Sequence, residues 1–224
     1  MGEVIRKGAA VDDIVADVRT TLGRARARGE PWRAPAEERL GPTVALLETV
    51  ETKLKDAMEV LAPLVEAIEA QDDTADLLLG KVADDIWNQL GRPSFDPHLS
   101  ILFPGGIAYY ADGRHEDQPD RMDLLVELLE AGIHPKLDRK LADDAAKKLG
   151  DEAKAYRAKV EAARGPKARV DLLTQVKAAL ARSGQVALVN LKRAYLSLGL
   201  LEAEIHKIIP DRGWPKKKAE EKAG

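Results

Sequence analysis

Apolar residues recur along this chain at helical spacing and almost nowhere at strand spacing. Val11, Ile14, Val15, Val18, Leu22 and Ala25 mark a first amphipathic helix over about 9–28. Gly29, Glu30 and Pro31 break it, and the mixed stretch to Pro42, with Trp32 and several charges, reads as a connector. Pro42 suits the first turn of the next helix, where its missing N–H goes unused. Positions 44, 47, 51, 54, 58, 61, 65 and 68 then alternate by three and four, and seven of the eight are apolar, with Glu51 as the exception. That is a coiled-coil-like seam. Pro63 predicts a kink or break in it, and Asp72, Asp73 and Thr74 read as caps opening another helix over about 74–90. Gly91, Arg92 and Pro93 stop that helix.

Residues 91–119 form a long irregular segment. Asp96-Pro97 predicts a short helix to Phe103, closed by Pro104-Gly105-Gly106; two short strands, 101–103 and 107–110, are the alternative. Met122 to Ile133 predicts a short helix ended by Gly132 to Pro135. Leu137 to Arg164 predicts an alanine-rich helix stopped by Gly165-Pro166. Positions 170, 173, 177, 180, 184, 187, 191, 194, 198, 201, 205 and 208 keep the alternation without a slip, which predicts one long helix over 167–208 despite Gly184 and Gly199. Leu99, Leu102, Phe103 and Pro104 echo Ile205, Ile208, Ile209 and Pro210 at a constant offset of 106, a match short enough for chance. The fold expected is all-α: a bundle of about six helices, long antiparallel ones among them, with the irregular segment 91–119. It divides into an N-terminal helix and connector (1–41), a helical bundle core (42–213) and a disordered tail (214–224).

Composition narrows the function. The chain of 224 residues has no cysteine, which excludes thiol chemistry, disulfides and zinc–thiolate sites and sets a cytoplasmic expectation. No apolar run is long enough to span a bilayer, and the N-terminus lacks a secretory pattern, so no membrane partner is expected. The formal charge of -3 is unevenly spread: residues 165–224 carry 12 basic and 6 acidic side chains, whereas residues 40–164 carry 15 and 25. An acidic middle and a basic end can pair within one molecule or between molecules.

Catalytic signatures are missing. There is no phosphate loop, dinucleotide fingerprint, nucleophile elbow or HExxH, and none of the four histidines follows a glutamate by three, as a di-metal bundle site requires. Glu130/His134 and Glu202/His206 are acid–histidine pairs one turn apart, short of the ligand number a metal site needs. Asp112, His115, Glu116, Asp117, Asp120 and Asp123 are rich in oxygen donors, but their spacing fits no calcium loop. No catalytic, cofactor-binding or metal residue is therefore assigned. Trp87, Phe95, Phe103, Tyr109 and Tyr110 hold five of the nine aromatics in one stretch, which reads as a plug for one end of the bundle or as an interaction surface. Lys177, Arg182, Lys192 and Arg193 are the basic contacts if residues 165–218 bind DNA; residues 178–200 superficially resemble a helix-turn-helix with Gly184 at the turn.

The expected function is that of a non-enzymatic structural or assembly protein acting through protein–protein contacts, as a homo-oligomer or part of a larger assembly. A DNA-binding protein and a ligand- or metal-binding bundle are the alternatives.

Overall fold

A computed structural model describes residues 8–210, and the expected tail at 214–224 lies outside them. Among the described residues there are seven helices and no strand: α1 (Val11–Arg28), α2 (Arg33–Gln89), α3 (Pro97–Leu102), α4 (Ala108–Ala111), α5 (Gln118–Glu130), α6 (Arg139–Ser197) and α7 (Glu202–Ile208). The all-α bundle is as expected. No described helix is long and apolar enough to cross a membrane.

The long helices run further than the breaker residues predict. The connector shrinks to residues 29–32, around a cis Glu30–Pro31 bond, and Gly41 and Pro42, where a segment boundary was expected, lie inside α2. Trp32, Ala36 and Leu40 are buried one turn apart, so burial carries the helix back to Arg33. Neither Pro63 nor Asp72 to Thr74 interrupts α2, and Gly165-Pro166 does not interrupt α6. The reason is phase. The seam of α2 continues from 68 through 72, 75, 79, 82 and 86, and the last four of these are buried apolar residues. Breaking the helix would lose that register. Thr74 does not cap: its hydroxyl donates to the Ala70 carbonyl at 2.9 Å within the helix.

The described residues divide into two compact units, 8–56 with 170–210 and 57–169. In the first, α1, the start of α2, the end of α6 and α7 enclose a core that includes Ile14, Val18, Leu22, Leu47, Leu188 and Ile205. The Tyr195 hydroxyl donates to the Trp32 carbonyl at 2.7 Å, and the two rings meet edge to face at 4.9 Å. Gly184 lies within α6, so the helix-turn-helix likeness has no turn there. The expected helix over 167–208 does end early. Gly199 (φ 76°) turns the chain after Ser197, and α7 folds back to bury Ile205 and Ile208. Leu201, in phase with the stripe, is left 72% exposed.

In the second unit, α3, α4 and α5 pack with the remaining parts of α2 and α6 around Leu79, Ile86, Leu102, Tyr110, Leu125 and Leu149. The short helix expected at Pro97 is present; the strand alternative is not, since residues 108–111 form α4. The internal echo falls on α3 in this unit and on α7 in the other.

Gly184 supplies a direct test of the first unit's packing. A Cβ there would stand 2.8 Å from Val18 Cγ2 and 3.4 Å from Thr43 Cγ2. Gly184→Ala is expected to lower unfolding stability by about 1–3 kcal/mol in urea titration, despite the better helix propensity of alanine. Val18→Ala in the same chain should recover part of the loss; a G184A chain as stable as the parent refutes the close contact.

Candidate functional site

Two polar clusters in the second unit stand out against its apolar core. The first is built where α2 stops. Gly91 (φ 79°) and Arg92 (φ 54°) turn the chain, with the Arg92 guanidinium over the Trp87 ring and bonded to Asn88 Oδ1 at 2.7 Å. Asp96 then caps α3: its Oδ1 accepts the backbone N–H groups of His98 (2.8 Å) and Leu99 (3.1 Å). Asp96 Oδ2 lies 3.2 Å from His134 Nε2. Gly132 (φ 66°) ends α5 and folds the chain so that His134 is buried, and its Nδ1 accepts the Lys136 N–H at 3.2 Å. His98 Nδ1 stands 3.7 Å from Asp96 Oδ1, and the two imidazoles meet edge to face at 5.5 Å. One ligand atom from each of the three residues lies within 4.8 Å of the others. A small cleft lined by Leu102, Leu128, Ile133 and Leu137 adjoins His134. The Leu99 N–H bond, above all, holds the Asp96 carboxyl below its ordinary pKa.

The second cluster joins α2, α5, α6 and the loop before α5. The buried Tyr156 hydroxyl donates to Asp72 Oδ1 at 2.7 Å, and His115 Nδ1 lies 2.9 Å from the same hydroxyl. With the phenol proton committed to Asp72, His115 Nδ1 carries the proton it shares with the phenol oxygen. Gln118 Nε2 donates to Asp76 Oδ1 at 2.8 Å. Burial first, and the bond to Asp72 next, push the Tyr156 hydroxyl well up from its ordinary value; burial raises the Asp76 carboxyl. These contacts tie α2, α5 and α6 together, which fits a structural joint between helices.

The residues singled out from sequence are distributed differently. Tyr110 is buried, donating to the Leu102 carbonyl at 2.6 Å, with its pKa pushed up to about 12 by burial. Phe103 is half-buried against it at 6.0 Å. Trp87 and Tyr109 are exposed, and Phe95 is 79% exposed. The stretch is thus plug at Phe103 and Tyr110, and surface at Trp87, Phe95 and Tyr109. Lys177 pairs with Asp12 (2.8 Å) and Glu51 (3.5 Å), and Lys192 with Glu202 (2.9 Å). Arg182 reaches the Ala9 carbonyl at 3.3 Å, and Arg193 is exposed. The oxygen-rich loop is taken up in ion pairs: Asp117 with Arg114, Glu116 with Lys167, and both Asp120 and Asp123 with Arg157. Glu202 and His206 do meet, at 3.6 Å; His134 faces Asp96 rather than Glu130.

Local sequence signals mark Asp96 as a cap and carry nothing that joins it to His98 and His134. Asp72 has the composition of a cap but lies inside α2 and accepts from Tyr156. The signal for it was present: residue 72 is in phase with the α2 seam, and a carboxylate there needs a polar answer from a neighbouring helix. No protein-family description, curated protein or solved structure matches this chain.

Tyr156→Phe removes the hydroxyl between Asp72 and His115 and is expected to cost about 1–2 kcal/mol in urea unfolding; no change would show that the joint contributes nothing. For Asp96 the sign is set by a lowered folded-state pKa. Its contribution is complete above the ordinary aspartate value of about 4 and is lost as pH falls through the lower folded value. The difference in urea midpoint between the parent and Asp96→Asn should therefore shrink below about pH 4. A difference that stays constant from pH 6 to 2 contradicts this assignment.

Proposed function

We propose that this chain is a structural or assembly protein that associates with a second copy of itself through the second unit's part of α2 and α6. The observation that carries the reading is the uncovered stretch of the α2 seam. Ala75, Leu79, Val82 and Ile86 are buried on this stripe, whereas Met58 (54% exposed), Leu61, Val65 (40% exposed) and Ile68 continue it half-covered. A coiled-coil-like stripe that loses its cover while keeping its phase is suited to a further helix.

Charge favours a second copy as that partner. Residues 57–76 of α2 carry six acidic side chains and no basic one, of which Asp72 and Asp76 are bonded within the unit, while residues 154–169 of α6 carry six basic and one acidic, of which Arg157 and Lys167 are paired within it. Two copies related by a twofold axis would set each acidic stretch against the other's basic one, a self-complementary match. Four stripe residues per copy fall short of the roughly 1,200 Å² that a stable interface buries, so the association is weak and leans on charge.

Sedimentation of the full chain over a concentration series, at low and high salt, tests this. A monomer–dimer equilibrium that shifts toward monomer with salt is expected. Val65→Lys should abolish it while leaving the unfolding midpoint unchanged, because the side chain is exposed in the monomer. A strict monomer at high concentration and low salt, or dimerisation unaffected by V65K, overturns the proposal.

A further inference from the structure

We propose that Asp96, His98 and His134 form a binding site for a divalent transition-metal ion of the zinc class, with Asp96 Oδ2, His98 Nδ1 and His134 Nε2 as ligands. The site is independent of self-association. Two nitrogens and a carboxylate oxygen are a donor set that zinc, cobalt and nickel accept, and three protein ligands leave a fourth position for water.

The geometry is close to what such an ion needs. Tetrahedral ligands at about 2.0–2.1 Å from zinc lie roughly 3.3–3.4 Å from one another. Asp96 Oδ2 and His134 Nε2 are 3.2 Å apart, and a ligand atom of each of the three residues lies within 4.8 Å of the others, so the accessible His98 ring is the ligand that closes in on the ion. The half-buried His98 gives an ion a route in from solvent, whereas the His134 side chain is only 1% exposed. Asp96 is already held in place, because its other oxygen is fixed by two backbone N–H groups at the start of α3. A carboxylate positioned by the fold needs little reorganisation to accept an ion.

His134 supplies the independent observation. Its Nε2 is buried and left without a hydrogen bond, although Asp96 Oδ2 stands 3.2 Å away. A buried polar atom left in that state is costly, and a cation seated between the three ligands would satisfy it. The Lys136 N–H at Nδ1 marks Nε2 as the protonated nitrogen of the metal-free ring. Binding therefore moves the ring proton from Nε2 to Nδ1, and the Lys136 N–H must turn away.

The experiment uses the untagged full chain with zinc chloride in calorimetry and thermal unfolding, and with cobalt chloride in visible absorption. One-to-one zinc binding is expected, with an upward shift in Tm and cobalt d–d bands of tetrahedral intensity. In ¹⁵N-detected spectra of the His134 ring, the proton should appear on Nδ1 in the zinc-loaded chain and on Nε2 without it. His98→Ala, at the accessible ligand, should leave the metal-free Tm unchanged and weaken zinc binding by more than about tenfold. His134→Gln should abolish binding, but H98A keeps the proposal testable should that variant fail to fold. No heat and no Tm shift at millimolar zinc overturn the site. So does zinc binding that survives H98A and D96N unchanged, which would place the ion elsewhere.

Discussion

The constraint on which this structure depends is that polar residues standing in the apolar stripes of α2 and α6 must be answered within the same unit. Glu51 is the polar position in the α2 stripe of the first unit, and it meets Lys177, the polar position in the α6 stripe, at 3.5 Å. Arg19 of α1 also binds Glu51. In the second unit Asp72 holds the equivalent place in α2 and takes the hydroxyl of Tyr156 from α6. Each pair pins the register of two helices at one level. Purely apolar stripes would tolerate a slip of one heptad far better than stripes that carry a charge needing a partner at a defined height.

This constraint explains why the long helices survive their breakers. A proline inside a helix loses a hydrogen bond and costs about 3 kcal/mol. Pro42 and Pro63 are exposed, so the carbonyls they leave unpaired can be hydrated, and the flanking stripe residues hold their phase on both sides. Local propensity is a weak argument against stripe residues buried on both sides of the breaker, such as Leu47 before Pro63 and Ala75, Leu79, Val82 and Ile86 after it.

The helical class, the stripe of α2, the first helix and the cap at Asp96 were legible in the sequence because each is a local or periodic signal. Helix ends were not. Asp72-Asp73-Thr74 has the composition of a cap, yet Asp72 serves Tyr156 and Thr74 bonds back to Ala70. The opposite error occurred at Gly199, where an unbroken phase concealed a turn. Leu198 and Leu201 fit the stripe by spacing, but α7 folds back and leaves both exposed. Phase reports which residues share a face on a helix that continues; it does not report whether the helix continues. The Asp96, His98 and His134 group was beyond reach for another reason. Its third member is 36 residues further on, and nothing local says that Gly132 will turn it toward α3.

Asp96 shows how a fold can prepare a site without dedicating a residue to it. The carboxylate has two oxygens and two kinds of work. Oδ1 is consumed by the first turn of α3, which fixes the side-chain rotamer and holds the group ionised. Oδ2 is left facing the His134 ring in a place where water does not reach the imidazole nitrogen. The cap thus does for Asp96 what a supporting hydrogen bond does for a metal-binding histidine: it removes the freedom that binding would otherwise have to restrict. The same division makes the helix start and the site interdependent. Any change that frays α3 at Pro97 also releases the carboxylate, and any ion held by Oδ2 draws negative charge toward itself and weakens the hold of Oδ1 on the two N–H groups. Stability at the start of α3 and affinity at the three-residue group are therefore two readings of one side chain.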